Sequence, residues 1–337
     1  MNIVLPPCQL EDIMQFLPTL RSAELGGNDM LTVDFSQAKV VSPLYMLTIG
    51  NALRHLGEQH ELRFVGMRKE EHYDVEAYAR RSGFFHFVQP QVHTEEPAPA
   101  TGTLLPVTRL YMKDLRRAAL FERGDDSDGA IIDRRSKKLA AVLAADSAEL
   151  CSLLGFSIRE ILRNSPEHGR TEEMWLAAQR WTNKAEITIM DEGVGVFASL
   201  CSNPAHAAAI RSNAEALRWA IKPGISQSFS PNARAGAGGL WANSGFGLHM
   251  ICRICSKLPG SKFLLASYGN YISLKQDGTW QEGETDFRGT LLRITLPTQL
   301  PKTTADLLDE ARTEGEQEAA TLRNAFTQAS APSGRVM

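Results

Sequence analysis

Two glycine-containing loops, each next to a regular element, constrain this sequence most. Residues 191–195 read Asp-Glu-Gly-Val-Gly directly after an apolar period-two run, and residues 243–248 read Asn-Ser-Gly-Phe-Gly-Leu directly before a helical stretch. Glycine lets a backbone approach a flat ligand closely, and the free N–H groups at a helix N-terminus favour an anion. The first loop therefore suits a flat ligand and the second an anionic group, although each alone is also typical of an ordinary turn.

A polar pair on the preceding helix adds a third element. Apolar residues recur at helical spacing from about 134 to 164, and Glu160 and Asn164 lie four residues apart on one face. An amide oxygen suits magnesium, and a carboxylate one turn away can activate a water or hydroxyl aimed at a phosphate. A solvated helix face is the simpler alternative for this pair alone.

The order of these motifs resembles the N, G1, G2 and G3 boxes of the GHKL superfamily of histidine kinases, gyrase-type topoisomerases, mismatch-repair ATPases and heat-shock chaperones. A Gly-Thr pair entering the last strand supplies the fourth box, and the match covers roughly residues 105–300. The resemblance implies ATP and magnesium as cofactors, with Asn164 on the metal and Glu160 as general base. It also implies nucleotide contacts from Asp191, Gly193, Gly195, Gly245, Gly247, Leu248 and Thr290.

Residues 157–169, which end in Glu-His-Gly, look most like the N box of anti-sigma-factor serine kinases and related regulators. Two features depart from that pattern. Met250 stands where a full G-x-G-x-x-G has its third glycine, and the segment between the glycine loops is much longer. We interpret about 197–244 of this segment as a mobile ATP lid with Lys222-Pro223-Gly224 and a glycine run at 236–239.

The N-terminal 92 residues predict a small α/β unit. An apolar strand at 30–35, a helical stretch and a strand at 62–66 suggest a parallel pair with a crossover helix. This segment resembles the STAS domains of anti-sigma-factor antagonists, in which an Asp-Ser pair at the helix N-terminus receives phosphate. Ser42-Pro43 stands there in this chain. Ser as N-cap and Pro in the first turn explain both residues, so we expect an interaction role instead of phosphorylation.

The fold class predicted is therefore α/β: a STAS-like unit at 1–92, a Pro-rich linker at 93–104, and a Bergerat-type sandwich at 105–300 with one helical layer on a mixed sheet. Residues 301–337 are expected to form a helix or a loose tail. A net charge of −3 without a basic cluster argues against nucleic acid. No secretory signal or membrane segment is evident, which favours a cytoplasmic protein with free thiols, and Cys252 and Cys255 are expected in the core.

The leading functional hypothesis is a cytoplasmic regulator that uses Mg-ATP to phosphorylate serine or threonine of a partner protein or to drive a slow hydrolytic switch. Glu160 motivates it, because a pure binding module does not need that carboxylate. A non-catalytic, nucleotide-sensing interaction module is one alternative, and a dimerising ATPase clamp is another. The sequence leaves the partner, the pathway and a homodimer open.

Overall fold

A computed structural model describes residues 2–22, 30–67, 69–70, 73–94, 97–111, 113, 129–168, 173–230, 244–275 and 277–329. Within these ranges the chain is an α/β protein, as predicted. No helix in the described ranges combines the length and the apolar character needed to cross a bilayer.

The N-terminal unit is built on three parallel strands in the order β1-β2-β3. Its elements are β1 (Asn2–Val4), α1 (Leu10–Ser22), β2 (Met30–Asp34), α2 (Pro43–Gly57), β3 (Glu61–Val65), the hairpin β4 (Lys69–Glu70) and β5 (Tyr73–Asp74), α3 (Val75–Arg81) and α4 (Phe84–Val88). The predicted strand, crossover helix and parallel strand are confirmed by β2, α2 and β3. Ser42 caps α2 by accepting the N–H of Tyr45, and Pro43 follows it, as expected.

The larger sheet has seven strands in the order β11-β10-β9-β12-β8-β7-β6. They are β6 (Leu104–Tyr111), β7 (Glu173–Arg180), β8 (Lys184–Asp191), β9 (Lys262–Ser267), β10 (Asn270–Leu274), β11 (Trp280–Glu284) and β12 (Thr290–Pro297). Every neighbouring pair is antiparallel, so the prediction of a mixed sheet was wrong. The reason is that β8 and β9 run in the same direction but are separated by β12, which pairs with both in the opposite direction.

One face of this sheet carries the helical layer. Its helices are α5 (Gly129–Ala144), α6 (Ala148–His168), α10 (Gly247–Lys257) and α11 (Thr304–Ala319), while α7 (Gly195–Cys201), α8 (Pro204–Ala207) and α9 (Asn213–Ala220) lie between β8 and α10 in the chain. Alternate residues of the central strands, such as Ile187, Ile189 and Leu292, share one core with α6 and α10. The amphipathic spacing in 134–164 therefore does bury its apolar face on the sheet.

The C-terminal segment is ordered onto this layer. Helix α11 buries Leu307 and Leu308 against it, and the chain then returns so that the N–H of Phe326 donates to the carbonyl of Gly224 at 2.9 Å. The ring of Phe326 is 7% exposed and lies 5.2 Å from that of Phe229. The helix alternative for 301–337 holds at Thr304–Ala319, and residues 320–329 follow it as non-helical chain that packs on this layer. Residues 330–337 lie outside the described residues.

The second face of the sheet is covered by the N-terminal unit. Residues of the opposite alternation, including Met190, Leu264 and Leu291, belong to the same core as β2, α2 and α4. Helix α2 packs directly on β7 and β8. The helices that follow β6 thus form one layer, as predicted, but the sequence analysis did not predict that the N-terminal unit buries the other face of the sheet. One hydrophobic core thus contains residues from both sides of the Pro-rich segment, 93–104, at which we drew the domain boundary.

Replacing Phe326 with alanine tests whether the contact of the C-terminal segment with Gly224 and Phe229 stabilises the fold. We expect Phe326→Ala to lower the free energy of unfolding by about 3 kcal/mol, because a buried ring is lost and a cavity is left. Chemical denaturation monitored by circular dichroism measures it. Trp280→Ala is the control, since that side chain is 44% exposed and its loss costs less. An equal or smaller effect at Phe326 would contradict this role.

Candidate functional site

A pocket of about 110 Å³ opens at one end of strands β8, β9 and β12. Five of the residues predicted from the sequence meet there: Asp191, Gly195, Gly245, Leu248 and Thr290. Its remaining wall is mainly apolar and includes Ile161, Ile189, Val196, Leu200, Ile225, Leu265 and Leu292. A mainly apolar pocket with few polar groups is the usual form of a small-molecule site, and this one is smaller than the range of about 300–1,000 Å³ that such sites usually occupy.

The polar end of the pocket is the carboxylate of Asp191. It is 5% exposed, ends strand β8 and faces Thr290 in the register of β8 with β12. Its Oδ1 accepts the N–H of Gly193 at 2.9 Å. Burial raises the pKa of Asp191 to about 6, although hydrogen bonds from Gly193 and from the backbone and side chain of Thr290 act against this shift. A buried acceptor in an apolar wall can bind a ligand donor selectively.

The turn after Asp191 depends on glycine at position 195. Gly195 has φ +77°, and a Cβ there would lie 2.3 Å from a ring carbon of Tyr268 and 2.6 Å from Oγ of Ser267. The Tyr268 hydroxyl donates to the Gly193 carbonyl at 2.7 Å, and Oγ of Ser267 accepts the N–H of Val196 at 3.0 Å. Any side chain at 195 would therefore separate the turn from strand β9.

The opposite wall of the pocket is formed where the second glycine loop, 243–248, meets residues 223–226. Gly245 has φ +73°, and its Cβ would lie 2.2 Å from the carbonyl oxygen of Ile225. Gly224 has φ +74°, and a Cβ there would lie 2.0 Å from the carbonyl oxygen of Phe326. Residues 223–226 are buried between these two contacts. Our interpretation of them as a mobile hinge does not fit this packing, and the glycine run at 236–239 lies outside the described residues.

Glu160 does not line the pocket. Its carboxylate is fully buried, accepts a hydrogen bond from Nε of Arg159 at 3.2 Å and lies 3.5 Å from Nη1 of Arg163. A Cβ on Gly247 would come within 2.2 Å of its Oε2, so this glycine allows the carboxylate to contact the first turn of α10. The general-base role of Glu160 stays a prediction. Gly193 and Gly247 also lie outside the pocket lining, each two residues from a glycine that is part of it.

The predicted metal ligand is only partly described. Asn164 lies on helix α6, but its side chain is outside the described part of the structure, and so is that of His168. Among the side chains that are described, no group of three or more His, Cys, Asp or Glu is arranged to hold a metal. Cys252 and Cys255 are buried free thiols on α10, as predicted.

Two carboxylates of the β8 region hold helix α2 on the sheet, and sequence reasoning missed both. Oε1 of Glu186 accepts the N–H of Leu44 at 3.3 Å in the first turn of α2. At the other end, Glu192 accepts from Arg54 Nη2 at 2.6 Å and lies 2.6 Å from Nε2 of His55. Negative groups at a helix N-terminus and basic groups in its last turn both suit the helix dipole.

The Glu192 contact joins the N-terminal unit to the loop that carries Asp191 and Gly193. Partial burial raises the pKa of Glu192, but the hydrogen bond and charge of His55 together with those of Arg54 outweigh it and lower the pKa to about 2. Because Glu192 is distant in the sequence from Arg54 and His55, the contact can be recognised only in the folded structure.

Comparisons of the chain with protein-family models, with curated proteins and with solved structures found no match. The geometry of the site therefore carries the functional argument.

Asp191→Asn tests the burial of a charge in the pocket. Below the ordinary pKa of 3.8 the carboxyl is protonated in both the folded and the unfolded state and costs nothing. Between pH 3.8 and about 6 the folded state keeps a proton that the unfolded state has lost, so stability falls. Above this range the full penalty of up to about 3 kcal/mol persists.

We therefore expect Asp191→Asn to gain stability relative to the wild type as pH rises from 4 to 7.5. Urea unfolding at both pH values measures the change in this difference, from which any constant structural cost of the amide cancels. A difference that is independent of pH would contradict the shifted pKa.

Glu192→Gln tests the contact between the unit and the loop. We expect a loss of about 1 kcal/mol at pH 7, since the side chain is 34% exposed and the pair is screened. The carboxylate stabilises the fold above its ordinary pKa of 4.5, and this contribution is lost as pH falls towards about 2, so the variant and the wild type converge in acid.

Glu58→Gln is the matched control, because Glu58 lies 3.5 Å from Arg54 and 3.7 Å from His55 but is the C-cap residue of helix α2 itself and is 59% exposed. Thermal unfolding at several pH values compares the two variants. Equal effects of the two changes would argue against a special role for Glu192.

Proposed function

We propose that the pocket binds the adenine nucleotide ATP, and that the chain is a GHKL-type regulator with a STAS-like N-terminal unit. The observation that carries the proposal is the buried carboxylate of Asp191 at the end of an apolar pocket. Such a group accepts a hydrogen bond from an exocyclic amine, and the apolar walls enclose a flat ring. The resemblance of the four motifs to the GHKL boxes supports the same ligand.

The glycine contacts support this choice. Gly195 holds the turn against β9, and Gly245 lies at the opening of helix α10, whose first-turn N–H groups are oriented to receive a phosphate. In the proposal, magnesium is held by Asn164 beside the phosphates. The lid, about 197–244, then encloses the nucleotide.

Two outcomes of nucleotide binding are proposed. In the first, Glu160 serves as general base, and the protein transfers the γ-phosphate to serine or threonine of a partner protein or to water in the cytoplasm. In the second, the protein is a non-catalytic, nucleotide-sensing module. The burial of Glu160 between Arg159 and Arg163, away from the pocket lining, favours the second. The first requires these ion pairs to rearrange when the nucleotide binds.

Asp191→Ala tests the binding proposal. We expect at least tenfold weaker binding of ADP, because a hydrogen bond to a charged acceptor contributes about 1.5–3 kcal/mol. Asp309→Ala is the control, since Asp309 is 66% exposed on α11, outside the pocket. Isothermal titration calorimetry measures both. Binding that the two changes affect equally, or its absence in the wild type, would refute the proposed site.

The same titration has a pH dependence. Because an amine donor prefers the ionised carboxylate and the pKa of Asp191 is about 6, the affinity of the wild type falls by about tenfold from pH 7.5 to pH 5. An affinity that does not change over this range would place the nucleotide elsewhere.

The fate of γ-labelled ATP with magnesium separates the two outcomes. Label that appears as free phosphate or on protein, and that disappears in Glu160→Gln and Asn164→Ala, would support an enzyme. Glutamine is used at 160 because it keeps the size of a buried side chain. Label that remains on bound ATP in the wild type would support the nucleotide-sensing module.

A further inference from the structure

A second cavity, larger than the first, lies between the N-terminal unit and the β6 edge of the sheet. It measures about 640 Å³, and its walls come from the end of α2, from α4, from the Pro-rich segment and from β6 and β7. This volume is within the range of about 300–1,000 Å³ that small-molecule sites occupy.

One wall of this cavity is a ladder in which aromatic rings and guanidinium groups alternate. The Arg109 guanidinium lies 4.7 Å from the ring centre of Tyr111 and 5.1 Å from that of Trp175. The Arg54 guanidinium lies 5.9 Å from Trp175 and 5.8 Å from Phe87. All five side chains line the cavity. Guanidinium groups within about 6 Å of ring centres are attracted to the rings and give this wall positive charge beside apolar surface.

The polar groups of the lining are mostly donors. Arg109 uses Nε and Nη2 for Glu173, which leaves Nη1 for another acceptor. Arg54 uses Nη2 for Asn51 and Glu192, and its Nε has no hydrogen-bond partner among the described residues. His86 uses Nδ1 for the carbonyl of His93. The carboxylates that pair with the two arginines most closely, Glu173 and Glu192, are not part of the lining. Glu58 is part of it, but this carboxylate lies 3.5 Å from Nη1 of Arg54 and is 59% exposed, so solvent screens its charge.

We propose that this cavity is a second small-molecule site and that it takes a flat aromatic acid. The ring of the ligand packs on the ladder, and its carboxylate, sulfonate or phosphate accepts hydrogen bonds from Arg109 and Arg54. Charge-assisted hydrogen bonds from arginine to such groups are short and strong, and they select planar acids over neutral aromatic compounds.

Arg54 gives this site a connection to the first pocket. The same guanidinium lines the second cavity and pairs with Glu192, which follows Asp191 directly. An acid bound to Arg54 competes with Glu192 and so changes the loop that holds Asp191. This coupling, unlike the site itself, rests on the proposed nucleotide function, and by linkage each ligand changes the affinity of the other by the same factor.

The test uses 8-anilinonaphthalene-1-sulfonate, an aromatic acid with a flat naphthalene ring that becomes fluorescent in apolar surroundings, with the full chain. We expect one molecule bound per chain, at least tenfold weaker binding in Arg109→Gln, and loss of binding in Ala98→Trp, which fills the cavity. Arg80→Gln is the matched control, because Arg80 also pairs with a glutamate and lies 5.7 Å from a ring centre, but outside this cavity. Ala305→Trp, at an exposed helix position, controls for the added indole.

Circular dichroism verifies that each variant is folded. If Arg109→Gln does not fold, Ala98→Trp still tests the site. Equal binding by the wild type and both cavity variants would overturn the proposal, as would loss of probe binding in Ala220→Trp, which fills the first pocket and would assign the probe to it. If the wild type binds the probe as expected but does not bind ADP, the nucleotide function fails while the second site stands.

Discussion

The seven-stranded sheet is apolar on both faces, and this constraint determines most of the molecule. In strand β8 seven successive residues, 185–191, are buried, so neither face can be left to solvent. Helices α5, α6, α10 and α11 cover one face and the N-terminal unit covers the other. Because burial of apolar surface is the main driving force of folding, the unit is an integral layer of the structure. The carboxylate of Glu186 accepts the N–H of Leu44, two residues from Ser42, so a phosphate added to Ser42 would meet a like charge nearby.

Much of this fold follows from periodicity alone. The apolar patterns at 174–178, 185–190, 263–267, 271–274 and 290–296 predict strands close to the observed β7, β8, β9, β10 and β12, because each combines a clear apolar period with a turn signal. The helical spacing over about 134–164 predicts one helix, and this was wrong, since the structure has two, α5 and α6, which end and begin at Ala144 and Ala148. Several short elements were missed, and for three elements the reason is local. Strand β1 has only three residues, α1 contains Pro18 in its interior, and β11 is a polar edge strand. The direction of pairing in the sheet was also missed, since it depends on where β12 inserts and no local pattern encodes that.

The site shows the same division between local and distant information. Asp191, Gly195 and Gly245 could be selected from the sequence because glycine next to a strand or helix end has a specific conformational meaning, and the structure places them around one pocket. Ser267 and Tyr268, which hold the turn, and Glu192, which joins it to α2, carry no such signal. The position of Glu160 was inferred from helix spacing alone, which gives the face of the helix but not which neighbour that face meets.

The position of β12 has a consequence for how the chain folds. This strand comes late in the sequence, yet it lies between β8 and β9, and about 100 residues separate it from its partner β8. During synthesis β8 can pair with β7, and β9 with β10, but each of the two strands has one edge without a partner until residues 290–297 have emerged. The two halves of the sheet cannot join before that time. Such a topology, with its contacts distant in sequence, is expected to fold slowly and to depend on chaperones while the chain is incomplete.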